Sequence, residues 1–128
     1  MTAGQAPANT KTRGDAAEDR ALAHLEAAGL TLVTRNYRLA GGPHVRGAEI
    51  DLIMRERDGT LVFVEVRSRT GSAEGQAAAS VTRPKQQRLV RAAQHYLLRY
   101  RHLPACRFDV IAIEGASLQW LRAAFDAS

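Results

Sequence analysis

The hydrophobic period changes several times along the chain, and each change marks an element. From Asp15 to Ala28 the residues are good helix formers, with Asp15, Glu18 and Asp19 in the first turns and Gly29 as a stop, so a helix is predicted there. LTLVTRNYRL, residues 30 to 39, is rich in β-branched and aromatic side chains and predicts a strand that ends at Gly41-Gly42-Pro43. AEIDLIMRE at 48 to 56 and TLVFVEVRSR at 60 to 69 predict two more strands, with Asp58-Gly59 between them as a hairpin signal. The small-residue stretch from Thr70 to Thr82 reads as a loop or a short helix. Pro84 suits the first turn of a second long helix, along which Leu89, Ala93, Tyr96, Leu97 and Tyr100 recur at helical spacing until Pro104. RFDVIAI at 107 to 113 predicts a strand, and LQWLRAAF at 118 to 125 a further strand or a short terminal turn. The order αβββαβ plus a terminal element describes an α/β domain with a mixed sheet flanked by helices.

Alternation puts Leu61, Phe63, Glu65 and Arg67 on one face of the third strand and Val62, Val64 and Val66 on the other. Glu49, Asp51 and Ile53 share a face of the strand before it. A two-residue turn at Asp58-Gly59 would send Asp51 and Glu65 to opposite faces. A three-residue loop, Arg57 to Gly59 with Gly59 left-handed, instead pairs Glu56 with Thr60, Asp51 with Glu65 and Glu49 with Arg67. The odd loop is preferred, because it leaves Ile50, Leu52, Val62, Val64 and Val66 as one apolar face.

Two opposed carboxylates repel, and a hard divalent cation relieves that repulsion. Mg²⁺ is commonly held by one or two carboxylates with water and phosphate completing its shell, so Asp51 and Glu65 are the expected ligands, with Mn²⁺ as the alternative ion. Such an ion assists phosphodiester hydrolysis. Glu18 shares the inward stripe of the first helix with Leu22 and Leu25 and is expected to point towards the same site. On the second helix Arg88, Arg91, His95 and Arg99 form a basic stripe suited to phosphates, and Lys85 at its start either reaches the site or is a solvated first-turn residue.

Composition supports this direction. Eighteen Lys and Arg against thirteen Asp and Glu give a net charge of +5 and an isoelectric point near 10.1, which favours a polyanionic partner. The 128 residues suit one domain, expected over residues 14 to 128, while residues 1 to 13 carry too little apolar surface to offset the entropy of ordering and are expected to form a flexible tail. The single Cys106 excludes an internal disulfide, fits a reducing compartment and is expected to be a small core residue. No stretch approaches the roughly 18 to 20 apolar residues of a membrane span, so a cytoplasmic location is expected.

GAEIDLI at 47 to 53, LVFVEVRSR at 61 to 69, Lys85 opening a helix and RFDVIAI at 107 to 113 together resemble the YraN-like family of small uncharacterised bacterial proteins, placed in the PD-(D/E)XK nuclease superfamily and similar to archaeal Holliday-junction resolvases. The resemblance covers about residues 14 to 125. It implies a restriction-endonuclease-like core, a catalytic helix-borne acid at Glu18, metal-ligand acids at Asp51 and Glu65, Arg67 in place of the superfamily lysine, and a homodimer spanning two strands. Arginine does not lose its proton at useful pH, so Arg67 suits charge stabilisation or phosphate positioning rather than proton transfer. The expected function is a metal-dependent endonuclease acting on DNA, with branched or repair intermediates as candidate substrates. The alternative is a nucleic-acid-binding module of the same fold without efficient catalysis.

Overall fold

The computed structural model describes residues 10–69 and 76–127. The elements run α1 (Thr10–Ala27), β1 (Thr31–Leu39), β2 (Ala48–Arg55), β3 (Leu61–Arg69), α2 (Gln76–Ala79), α3 (Arg83–Leu97), β4 (Cys106–Glu114) and β5 (Ser117–Phe125). The five strands form one mixed sheet in the order β1-β2-β3-β4-β5, antiparallel except where β3 lies parallel to β4. The parallel pair requires a crossover, and α2 and α3 supply it. The terminal element is thus a full strand at the sheet edge. The stretch from 70 to 82 contributes the short helix α2, and residues 70–75 lie outside the described residues.

The helix α1 starts at Thr10, four residues ahead of the boundary expected at Gly14; a glycine costs only about 1 kcal/mol within a helix and does not stop one. The remainder of the expected tail, residues 1–9, lies outside the described residues. No helix among the described residues is long and apolar enough to cross a membrane.

Both faces of the sheet are covered, which explains why its strands read as nearly continuous apolar runs. On one face Ala17, Ala21 and Leu25 of α1 pack on Leu52, Met54, Val62, Val64, Ile111 and Ile113. On the other, Leu89, Ala92, Ala93 and Tyr96 of α3 pack on Ile53, Leu61, Phe63, Phe108 and Val110. At the edge, fully buried Asp109 accepts hydrogen bonds from Arg107, Trp120 Nε1 and the Ala123 nitrogen, and Arg107 also pairs with Glu56. Cys106 is exposed at the start of β4, not in the core, because the apolar run that buries the strand begins two residues later at Phe108.

The hairpin takes the odd register. Arg55 faces Leu61 and Leu52 faces Val64, and the Glu56 nitrogen donates to the Thr60 carbonyl at 2.9 Å. Gly59 closes the loop with φ +93°, a conformation that a β-carbon would strain, and its nitrogen donates to the Glu56 carbonyl. Two details depart from simple alternation. Ile50 packs beside Ile53 on the α3 face instead of joining Leu52, so the pleat is interrupted between them at Asp51. Glu49 does not meet Arg67; it lies opposite Arg38 of β1 and bonds it at 3.4 Å, because β2 has already parted from β3.

Candidate active site

The ladder between β2 and β3 stops at Leu52 and Val64, although β2 stays paired with β1 and β3 with β4. The register continued by one step sets Asp51 across from Glu65 at the point where the strands divide. There the Val66 nitrogen, which has lost its ladder partner, donates instead to Asp51 Oδ2 at 2.8 Å. Glu65 is only 4% exposed and pairs with Lys85 Nζ at 3.3 Å and Arg67 Nη1 at 3.4 Å. Burial, and next the charge of Glu65, push the Asp51 carboxyl up to about 9, with the Val66 bond pulling the other way.

Glu18 reaches the same region from α1. Its Oε1 accepts from Arg35 Nη2 and Asn36 Nδ2, both at 3.3 Å. Burial raises its pKa, against the lowering effect of Arg35. Asn36 is the residue that the β1–β2 register sets opposite Asp51, and it takes a left-handed backbone with φ +54°. Asparagine tolerates that conformation better than most residues, and here it turns two successive β1 side chains, Arg35 and Asn36, onto the one carboxylate.

These groups line a cleft of about 1100 Å³. The structure brings together Glu18, Asp51, Glu65, Arg67, Lys85 and Arg88, six of the nine residues singled out from sequence, while His95 lies instead against the Tyr37 hydroxyl. Arg91 and Arg99 are not among them. Arg91 lies at the edge, where its guanidinium donates to the Arg46 carbonyl and ties α3 to the loop after β1. Arg99 turns away, with its guanidinium carbon 3.9 Å from the centre of the Tyr96 ring and its Nε bonded to the Tyr96 carbonyl. It thus belongs to the aromatic packing of the α3 C-terminus, since successive turns of α3 carry the basic stripe past the mouth of the cleft.

Sequence reasoning missed three further cations at the cleft, Arg38, Arg46 and Arg69, and the groups that hold the site in place, Arg35, Asn36 and Ser80. An asparagine in the middle of a strand is a disfavoured choice and was a usable signal; Ser80, in a stretch of small residues, offered none.

The floor carries two carboxylates, Asp51 and Glu65, and the rim is cationic. Among the described residues, no three acidic, imidazole or thiol side chains form a ligand set by themselves. Two carboxylates suffice for Mg²⁺ when water and phosphate complete the shell, and Asp51 and Glu65 stand opposite one another where the strands part. The donor set therefore fits a hard divalent ion.

The family model described as Uncharacterised protein family UPF0102 matches residues 17–113, a span that contains every element of the cleft. A UPF0102 protein of Methylibium petroleiphilum is 67% identical over 119 residues, covering 93% of this chain and 98% of the relative. One from Acidovorax sp. strain JS42 is 64% identical over 126 residues, covering 98% of this chain and 93% of the relative. A third, from Paracidovorax citrulli, is 60% identical and covers 92% of this chain and 85% of its own length. With a family model and near full-length relatives in agreement, the chain belongs to the UPF0102 family.

Proposed function

We propose that this protein is a metal-dependent endonuclease of the PD-(D/E)XK type, with a restriction-endonuclease-like core, that hydrolyses DNA phosphodiester bonds. The observation that carries this reading is the pair of opposed carboxylates, buried Glu65 and half-buried Asp51, at the floor of a cleft rimmed by arginines. Opposed acids destabilise a sheet unless a cation or a retained proton offsets their charge, and a basic rim attracts phosphate. In hydrolysis a water oxygen adds to phosphorus, the bond to one sugar oxygen breaks, the water gives up a proton and the leaving oxygen gains one. Mg²⁺ or Mn²⁺ held by Asp51 and Glu65 would polarise the phosphate and make water more acidic.

The chain's own residues divide the remaining work. Arg67 stabilises charge on the phosphate oxygens, since it remains cationic. Lys85, one of only two lysines in the chain, contacts Glu65 and takes the lysine role that Arg67 leaves vacant: its ammonium is a proton donor for the leaving oxygen. Glu18, held by Arg35 and Asn36, orients water on the α1 side.

A cleavage assay over paired, nicked, single-stranded and branched DNA with Mg²⁺ or Mn²⁺ tests the reading. The wild type should cut at least one substrate, and Asp51→Asn, which keeps the acceptor for Val66, should abolish cutting while leaving the fold intact. Salt-sensitive binding without cleavage in any metal would select the second reading, a non-catalytic nucleic-acid-binding module, which the arginine at position 67 favours.

A further inference from the structure

We infer that Ser80 is a positioning residue, whose hydroxyl fixes the Arg67 guanidinium in the orientation that presents it to a phosphate beside Asp51 and Glu65. This rests on the nuclease reading and specifies how its cation is held. Arg67 is about a third exposed, at 30%, so solvent reaches it and its position requires a restraint. Its Nε donates to Ser80 Oγ at 2.8 Å and its Nη1 to Glu65 Oε2 at 3.4 Å. Contacts on two nitrogens of one planar group fix both its direction and its roll. Among the described residues Nη2 has no hydrogen-bond partner, which leaves it for a phosphate oxygen.

Ser80 is itself restrained. Its hydroxyl proton is committed to the Ala77 carbonyl at 2.6 Å, which turns the oxygen lone pairs towards Arg67. The Ala77 nitrogen in turn donates to Glu114 Oε2 at 2.8 Å, and Glu114 lies beside Arg69 in the β3–β4 ladder. Arg67 is therefore anchored at both ends to the same sheet, once through its own strand and once through Glu114, α2 and Ser80. The arrangement also gives a reason for arginine at this position. Only a guanidinium has an inboard donor to spend on Ser80 and a terminal one on Glu65 while a second terminal nitrogen remains for a phosphate oxygen; a lysine has no donor along its stem.

The test compares wild type, Ser80→Ala and Ser80→Thr in steady-state cleavage and by ¹⁵N NMR of the Arg67 Nε–H, assigned with Arg67→Lys. Misplacing a catalytic group by an ångström costs on the order of 10²-fold, so Ser80→Ala should lower kcat by roughly 10- to 100-fold. KM should change by less than about threefold, the pattern of a contact made in the transition state. Ser80→Thr, which keeps the hydroxyl, should restore turnover. Independently of activity, the Nε–H should exchange with solvent about tenfold faster in Ser80→Ala than in wild type or Ser80→Thr, in line with loss of one protecting hydrogen bond. Unchanged exchange in Ser80→Ala overturns the inference even if the protein cuts nothing. Equal loss of turnover in the alanine and threonine variants, with lowered Tm in both, overturns it by assigning Ser80 to packing. A wild type inert with every metal and substrate, but with the exchange pattern intact, defeats the nuclease reading and leaves the clamp standing.

Discussion

Asp51 Oδ2 accepts the Val66 backbone N–H at 2.8 Å, so a side chain of β2 replaces a rung of the ladder at the place where β2 and β3 separate. One carboxylate oxygen is spent on the backbone, while the side chain as a whole lines the cleft. The bond fixes the acid by its neighbour strand.

The pH dependence of stability carries a defined sign. Asp51 moves from the ordinary carboxylate value of 3.8 to about 9 in the folded protein, so between those values the folded state keeps a proton that the unfolded chain releases. The associated stability is present in full below the unfolded value and is lost as pH rises through the folded one. In a chelator, the Tm of wild type relative to Asp51→Asn should therefore fall from pH 5 to pH 9. A constant difference would contradict the burial of this acid.

Mg²⁺ should displace that proton. Binding measured by calorimetry at pH 7 in buffers of different ionisation enthalpy should release protons, and affinity should increase with pH. Asp51→Asn and Glu65→Gln should each remove the response. Glu65→Gln should also loosen Lys85 and Arg67, which lose their shared counter-charge.

The cations separate by salt dependence. Arg88 lines the cleft and Arg99 is stacked on Tyr96. Arg88→Gln should reduce the slope of log affinity against log salt by roughly 0.7 to 0.9, the contribution of one phosphate contact, while Arg99→Gln should leave the slope unchanged. Equal effects from both would place the nucleic acid along the helix rather than in the cleft.

Asp109 provides a structural control away from the chemistry. It is fully buried and holds Arg107, Trp120 and the Ala123 nitrogen. Asp109→Ala should cost about 3 to 5 kcal/mol in chemical denaturation, because it leaves Arg107 Nε, Trp120 Nε1 and the Ala123 nitrogen without their shared acceptor, with Glu56 the remaining partner of Arg107. Metal affinity of the fraction that remains folded should be unchanged.

Much of this was legible in the sequence because it depended on local rules. Alternation placed Glu65 and Arg67 on the Phe63 face, and the preference for an apolar face over a mixed one selected the three-residue loop, Arg57 to Gly59, that brings Asp51 opposite Glu65. Other features depended on tertiary context. Asn36 turns β1 and Ile50 changes faces only because β2 leaves β3 there, and no pattern within a single strand encodes that departure. Arg99 continued a regular basic stripe, yet its partners, Tyr37 and Tyr96, are set by how α3 docks. Ser80 acquires its role from Ala77 and Glu114, far apart in the chain and joined only in the fold.

The parting of β2 from β3 has a mechanical consequence. Beyond Leu52 and Val64 the strands are joined through the Asp51 side chain and the Val66 nitrogen, so the spacing of the two acids rests on that bond and on the cores packed against either face, with Leu25 of α1 on one and Leu89 of α3 on the other. The core thus acts as a vice on the site: trimming Leu25 or Leu89 would alter the spacing of Asp51 and Glu65 without touching either acid.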